Sequence, residues 1–279
     1  MTSPTKTLPS GGELPMVGIG TWNINGDTVR QSVRTGLDAG YAHVDTAEGY
    51  HNESNIGDVI SEFDREEIFL TSKVLPKHLN YEAVIASCED SLERLGTDYL
   101  DLYLIHWPNP AISLRETLDA MATLHDEGKI KNIGVSNFSA YQLSCAHHIS
   151  DVPIAVNQIE YHPWNTQDDI VEYCREIGTI IEAAAPLGRT EVFADDTVQD
   201  IAEKYDRAPA QIILKWAVEK GIVVLPKSSS PDHVQANLEL FEWTLDDEDQ
   251  ALLDEIGHHQ PVYDFPTRDW GDGTYGISE

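Results

Sequence analysis

Three observations predict a parallel (β/α)8 barrel: eight short apolar runs, amphipathic stretches between them, and a length of 279 residues. Alternation of this kind is the pattern of parallel strands joined by helical crossovers, and the crossovers are long enough for parallel connections. Barrels reach this length as one domain and bury a full core. Residues 1–279 are therefore read as a single α/β domain of the TIM-barrel class.

Residues 5–16 read as a β-hairpin with SGGE as the turn, so that 1–17 form an N-terminal hairpin able to close the bottom of the barrel. The strand-like runs follow in order: MVGIG (16–20), AHVD (42–45), IFLTSK (68–73), LDLYLIH (100–106), IKNIGVS (130–136), IAVNQIE (154–160), TIIEAAAP (179–186) and IVVLPKS (222–228). Each is short and apolar, as buried parallel strands are. The helical stretches between them include Asp27–Ala39, Glu82–Leu95, Ser113–Asp126, Gln167–Ile177, Gln199–Tyr205 and Pro209–Lys220. Residues 259–279 carry Pro, Gly and the aromatics Tyr263, Phe265, Trp270 and Tyr275 without periodicity. They are read as a C-terminal loop that folds over the active face.

The charge balance is extreme: 48 Asp plus Glu against 18 Lys plus Arg, a formal net charge of −30. The acids are scattered, which indicates a folded domain with an acidic skin rather than a disordered tail. Self-repulsion of this size destabilises a compact state and is relieved by salt, so a salt-rich, halophilic cytoplasm is the expected setting. No basic stripe exists to meet phosphates, which argues against a nucleic-acid partner. Cys88, Cys145 and Cys174 are far apart and odd in number, indicating neither a disulfide framework nor a zinc site. The paired histidines His147–His148 and His258–His259 point apart on a helix, so no metal is expected. The N-terminus lacks the apolar core of a signal peptide, and no window reaches the roughly 20 apolar residues of a membrane span. The expectation is a cytoplasmic protein with no membrane partner, a monomer or a weak homo-oligomer.

Chemistry-bearing residues gather at the C-terminal ends of the runs, the face where barrels carry their active sites. Asp45 ends AHVD, Tyr50 follows it, Lys73 ends IFLTSK, and His106 ends LDLYLIH. Read singly, Asp45 is equally a helix cap, Tyr50 a surface aromatic, Lys73 a solvated strand end and His106 a core histidine. Together they make one proton-delivery device. A carbonyl that accepts hydride becomes an alkoxide and needs a proton, which a tyrosine can give. Its ordinary pKa is about 10, and a nearby ammonium lowers it. A buried lysine keeps its charge when a carboxylate holds it, and an imidazole beside the phenol can orient the substrate oxygen.

With these residues in view, the chain resembles the aldo-keto reductase superfamily over nearly its whole length. HVDTAEGYHNE (43–53), LTSK, DLYLIHWP, IGVSNF and NQIEYHP occur in the family's order. The resemblance implies that Asp45, Tyr50, Lys73 and His106 form the catalytic tetrad, with Tyr50 the general acid. Glu53, in the family's Asn-Glu pair, supports structure. The family binds a nicotinamide dinucleotide in extended form across the barrel top, which fits the absence of a GxGxxG fingerprint. By the same resemblance, Ser136, Asn137 and Gln158 hold the carboxamide, Leu187 and Gly188 flank the pyrophosphate, and Gly20, Thr21 and Trp22 line the site from the first loop. Trp22, Tyr50, His106 and Trp107 are the expected substrate contacts. His51 stands where many relatives carry glycine.

Two departures bear on the cofactor. The family's nicotinamide-stacking aromatic after the seventh strand is replaced by Ala184. In the 2′-phosphate region Lys227, Ser228 and Ser229 are present, but His233 occupies the position of the usual arginine. A hydrogen bond to a charged group is worth roughly 1.5–3 kcal/mol, so its loss removes about one to two decades of preference. Ala236 replaces a common acidic contact to the adenine, while Asn237 keeps the neighbouring amide. The expectation is NADPH use with a modest preference over NADH, acting on a small-molecule carbonyl substrate as an oxidoreductase of the CH–OH class. A cofactor-sensing regulatory barrel with little turnover is the alternative from a different class, and a barrel hydrolase or isomerase the third.

Overall fold

The computed structural model of the chain describes residues 3–257 and 260–263. The chain opens with an antiparallel hairpin, β1 (Thr5–Thr7) and β2 (Glu13–Pro15), in which Thr7 faces Glu13. Its turn places Gly11 and Gly12 at φ 95° and 92°, a left-handed region that favours residues without a Cβ. The hairpin's apolar side chains, Leu8, Leu14 and Met16, plug the barrel floor against Phe69, Leu102, Leu104 and Val156.

Eight parallel strands follow: β3 (Ile19–Gly20), β4 (His43–Asp45), β5 (Phe69–Val74), β6 (Leu102–Ile105), β7 (Ile133–Ser136), β8 (Ile154–Glu160), β9 (Ile180–Ala184) and β10 (Val223–Val224). They pair in sequence order from β3 to β10. The ring closes where Val224 N–H donates to Met16 O at 3.0 Å and Gly18 N–H to Val224 O at 2.9 Å. A Cβ on Gly20 would lie 2.6 Å from Leu225 O, so glycine permits the close approach at this seam.

The outer layer comprises α1 (Gly26–Ala39), α2 (Glu53–Ile60), α3 (Tyr81–Leu95), α4 (Leu114–Asp126), α5 (Ala140–Ile149), α6 (Asp168–Ile177), α7 (Asp196–Tyr205), α8 (Pro209–Glu219), α9 (Pro231–Ala236) and α10 (Asp247–Glu255). Their buried faces form one core with the outward faces of the strands. Local chemistry sets the ends. Asn80 caps α3 by accepting the Ala83 N–H at 3.0 Å, and Gly96 ends it at φ 66°. Ser139 and Gln142 form a capping box on α5.

The eight expected strands and six expected helices are all present, but the runs overstate the strands. IVVLPKS contributes two ladder residues, because Pro226 has no N–H to continue the ladder, although its carbonyl still accepts the Gly20 N–H at 3.0 Å. Four helices, α2, α5, α9 and α10, lie in stretches the periodicity did not single out. In α2 the break is Gly57, where a Cβ would lie 2.7 Å from Arg94 O, so close helix packing replaced an apolar side chain. The tail aromatics Phe265, Trp270 and Tyr275, and the pair His258–His259, lie outside the described residues.

Candidate active site

Asp45 ends β4, Lys73 lies near the end of β5, Tyr50 ends a 3-10 turn (Glu48–Tyr50), and His106 follows β6. Barrel geometry brings all four together. The fully buried Lys73 ammonium donates to Asp45 Oδ1 at 2.7 Å, to Thr46 O at 2.9 Å and to Tyr50 Oη at 3.3 Å. The Tyr50 and His106 rings meet edge to face with centroids 5.5 Å apart. Burial, reinforced by the Lys73 charge, holds the His106 imidazole well below its ordinary pKa, so the ring is neutral at pH 7.

The loop under Tyr50 is held from several sides. Glu48 accepts the Leu75 N–H at 3.0 Å and pairs with His78 at 2.7 Å. His51 closes the turn at φ 56°, a conformation glycine adopts without a Cβ penalty. Buried Asn52 donates to Thr21 O and Ile24 O at 2.9 and 3.0 Å, tying the loop of Trp22 to that of Tyr50. Glu53 is 1 % exposed and receives Ser72 Oγ at 2.6 Å and Arg94 Nε at 2.8 Å, which anchors α2 rather than reaching the cavity.

A cavity of about 280 Å³ opens above this cluster, bordered by Gly20, Thr21, Trp22, Asp45, Tyr50, Gln158, Leu187 and Lys227. Ala184 borders it too, and three aromatics, Trp22, Tyr50 and Tyr263, share its wall. Trp107 and Asn137 border a second cavity of about 310 Å³, and Tyr263 lines both. Of the three expected carboxamide contacts, Gln158 faces the first cavity. Ser136 is packed behind it, its hydroxyl donating to Gln158 O at 2.8 Å, and Asn137 donates its amide N–H to His106 O at 3.0 Å. Gly188 and Ser136 border neither cavity. Exposed Lys227, Ser229 and His233, with half-buried Ser228 and buried Asn237, mark the corner between β10 and α9.

The structure adds residues that the motifs did not mark. Arg189 borders the first cavity, its guanidinium 5.0 Å from the Trp22 ring and 5.5 Å from that of Tyr263. It and Thr190 take φ 50° and 74° and continue a left-handed stretch that begins at Gly188, φ 51°. Buried Glu160 accepts the Val262 and Tyr263 N–H groups at 2.7 and 2.9 Å, fixing the start of the C-terminal segment over the site. Fully buried Glu182 accepts from Gln158 Nε2 at 3.0 Å. Burial, and then the charge of Asp45, push its carboxyl up to about 8. Burial and the Lys73 charge push His43, 3.7 Å from Glu182, down to about 3.

Residues 16–258 match the sequence profile of the Aldo/keto reductase family. The chain belongs to this family. It is 39% identical over 250 residues to an aldo-keto reductase of Mycolicibacterium smegmatis, covering 88% of this chain and 91% of that protein. It is 38% identical over 261 residues to glyoxal reductase of Bacillus subtilis, covering 92% and 94%. A crystal structure of a Bombyx mori aldo-keto reductase in complex with NADP superposes with a TM-score of 0.90 at 32% identity, covering 98% of each chain. As a member of this family the chain is an oxidoreductase that reduces small carbonyl compounds with NADPH.

The residues present fit such a cofactor. Gln158 commits both amide hydrogens to Asp45 and Glu182, at 2.9 and 3.0 Å, which leaves its carbonyl oxygen to accept from a ligand amide. Lys227 and Arg189 bring positive charge to the border of a cavity in an otherwise acidic chain.

Proposed function

We propose that the chain is a single-domain carbonyl reductase in which Tyr50 is the general acid, Lys73 and Asp45 its charge partners, and His106 the group that orients the carbonyl. The observation that carries this reading is Lys73 Nζ, hydrogen-bonded to both Asp45 and Tyr50 beneath the cavity. Bound NADPH supplies the hydride. The Tyr50 O–H donates its proton to the carbonyl oxygen as negative charge grows there. The Lys73 ammonium stabilises the phenolate that remains, and Asp45 keeps Lys73 in place. Neutral His106 donates an imidazole N–H to the same oxygen and fixes its approach to Tyr50.

Cofactor contacts are assigned to Gly20, Thr21, Trp22, Asp45, Ser136, Asn137, Gln158, Leu187, Gly188, Lys227, Ser228, Ser229, His233 and Asn237, and substrate contacts to Trp22, Tyr50, His106 and Trp107. Small α-dicarbonyls are the first substrates to test, since a relative of 38% identity is named for glyoxal. The reaction is proposed to be reversible on the corresponding alcohols, in a cytoplasmic monomer or weak homo-oligomer without a nucleic-acid partner. Among the described residues no helix is long and apolar enough to cross a membrane.

The test is fluorescence titration of wild type and Tyr50→Phe with NADPH and NADH in molar potassium chloride, followed by a carbonyl panel. Binding by both proteins with turnover only by wild type supports the assignment. Absence of binding by folded wild type overturns it.

A further inference from the structure

A buried acid in the barrel interior takes part in none of the steps above. Glu182 lies on β9 opposite Gln158 of β8 and is 0 % exposed. Gln158 Nε2 donates to Glu182 Oε2 at 3.0 Å and to Asp45 Oδ2 at 2.9 Å. Two carboxyl groups thus share one amide nitrogen, and among the described residues one cation, Lys73, is available to them.

The titratable groups facing Glu182 are Asp45 and His43 from β4 and Lys73 from β5; β8 presents Gln158, and β10 presents Val223 and Val224. Lys73 is 2.7 Å from Asp45, so the charge is settled on that pair. A second uncompensated carboxylate in a dry interior is costly, and the group neutralises instead. Glu182 therefore carries a proton at neutral pH.

The same geometry fixes the Gln158 amide. Ionised Asp45 requires an N–H, and Glu182 takes the other through its carbonyl oxygen. The reverse orientation would set the Gln158 oxygen against the Asp45 carboxylate, which can only accept. We propose that Glu182 is a positioning residue for the cofactor: it locks the Gln158 amide with its carbonyl oxygen left for the nicotinamide carboxamide and steadies the Asp45 end of the Lys73 pair. This role compensates for the missing aromatic at Ala184 by stiffening a polar contact instead of a stacking one. It rests on the reductase reading above.

The test uses the full chain with NADPH as probe. Glu182→Leu removes the acceptor and is expected to weaken NADPH binding about tenfold, equivalent to one ordinary hydrogen bond, while KM for the carbonyl stays within twofold. Glu182→Gln keeps an acceptor oxygen and restores NADPH affinity to within threefold of wild type. The apo protein gives an independent readout. A buried acid that holds its proton in the native state loses stability to the unfolded chain as pH rises from about 5 to 8. Glu182→Gln lacks that penalty, so its melting temperature gains on wild type across this interval and matches it at the acid end. Wild-type affinity in Glu182→Leu, or parallel melting curves for Glu182→Gln and wild type over the interval, overturns the proposal. If Glu182→Leu does not fold, the Glu182→Gln melting series decides. If wild type itself binds neither NADPH nor NADH, the reductase reading fails and the role proposed here fails with it. Loss confined to Glu182→Leu, with wild type binding tightly, separates the two cases.

Discussion

Replacing Lys73 with methionine tests the charge device beneath the cavity. The ammonium lies 3.3 Å from the Tyr50 oxygen. At an effective dielectric near 20, an ammonium–phenolate pair at this distance is worth about 5 kcal/mol. If half of the phenolate charge has developed in the transition state, the loss is about 2.5 kcal/mol, or about 70-fold in kcat/KM. The same substitution strips buried Asp45 of its cation, leaving the Gln158 amide as its remaining partner among the described side chains. Breaking a buried pair typically costs about 3–5 kcal/mol of stability. The assay is therefore paired: kcat/KM with NADPH and an α-dicarbonyl, and circular dichroism with an NADPH titration on the same preparation. A folded Lys73→Met protein that binds NADPH and retains activity within threefold of wild type would refute the proposed role of the ammonium.

Four further outcomes are expected. NADPH binds more tightly than NADH by less than a hundredfold, because His233 stands where an arginine would hold the 2′-phosphate; a larger ratio of dissociation constants contradicts this. Glu53→Ala lowers unfolding stability by about 2 kcal/mol, since it leaves the buried Ser72 hydroxyl without its acceptor and removes the carboxylate from half-exposed Arg94; urea unfolding measures it, and a change under 1 kcal/mol would contradict it. Acid destabilises the fold below about pH 6.5. The unfolded chain there binds protons on His43 and His106 that the native state excludes, so stability falls by up to about 1.4 kcal/mol per pH unit for each ring; His43→Asn shows a shallower slope in urea melts between pH 7 and 5 if this is right. Salt stabilises a chain of net charge −30 through screening, so the melting temperature rises between 0.01 and about 1 M potassium chloride; a flat response would mean the acidic surface carries no net self-repulsion.

Much of the site is legible in the sequence because barrel strands place their last residues on one face. Asp45, Lys73 and His106 end or closely follow strands, so periodicity alone put them together. Tyr50 required the turn at Glu48–Tyr50, which periodicity does not show and which His51 at φ 56° completes. Glu182 carried a signal that went unused: an acid inside the apolar run TIIEAAAP must either interrupt a strand or point into a polar interior. The register of β8 on β9 decides which, and register is a tertiary property. Arg189 gave no such signal: Gly188 marks a bend, but not that Arg189 and Thr190 extend it at φ 50° and 74°. Tyr263 reaches the cavity because its backbone bonds to Glu160, 103 residues earlier. Helices α9 and α10 are short, and α10 opens with Asp247, Glu248 and Asp249. These acids favour a helix N-terminus but blur an apolar stripe.

The most direct test of the central claim is a single-turnover experiment with NADPH-loaded protein and an α-dicarbonyl, comparing wild type with Tyr50→Phe. The account predicts that Tyr50→Phe binds NADPH as wild type does but consumes it about 10²–10⁴-fold more slowly, the range for removal of a general acid. Consumption within tenfold of wild type would show that the proton comes from elsewhere and that the cluster of Asp45, Lys73 and Tyr50 serves another purpose.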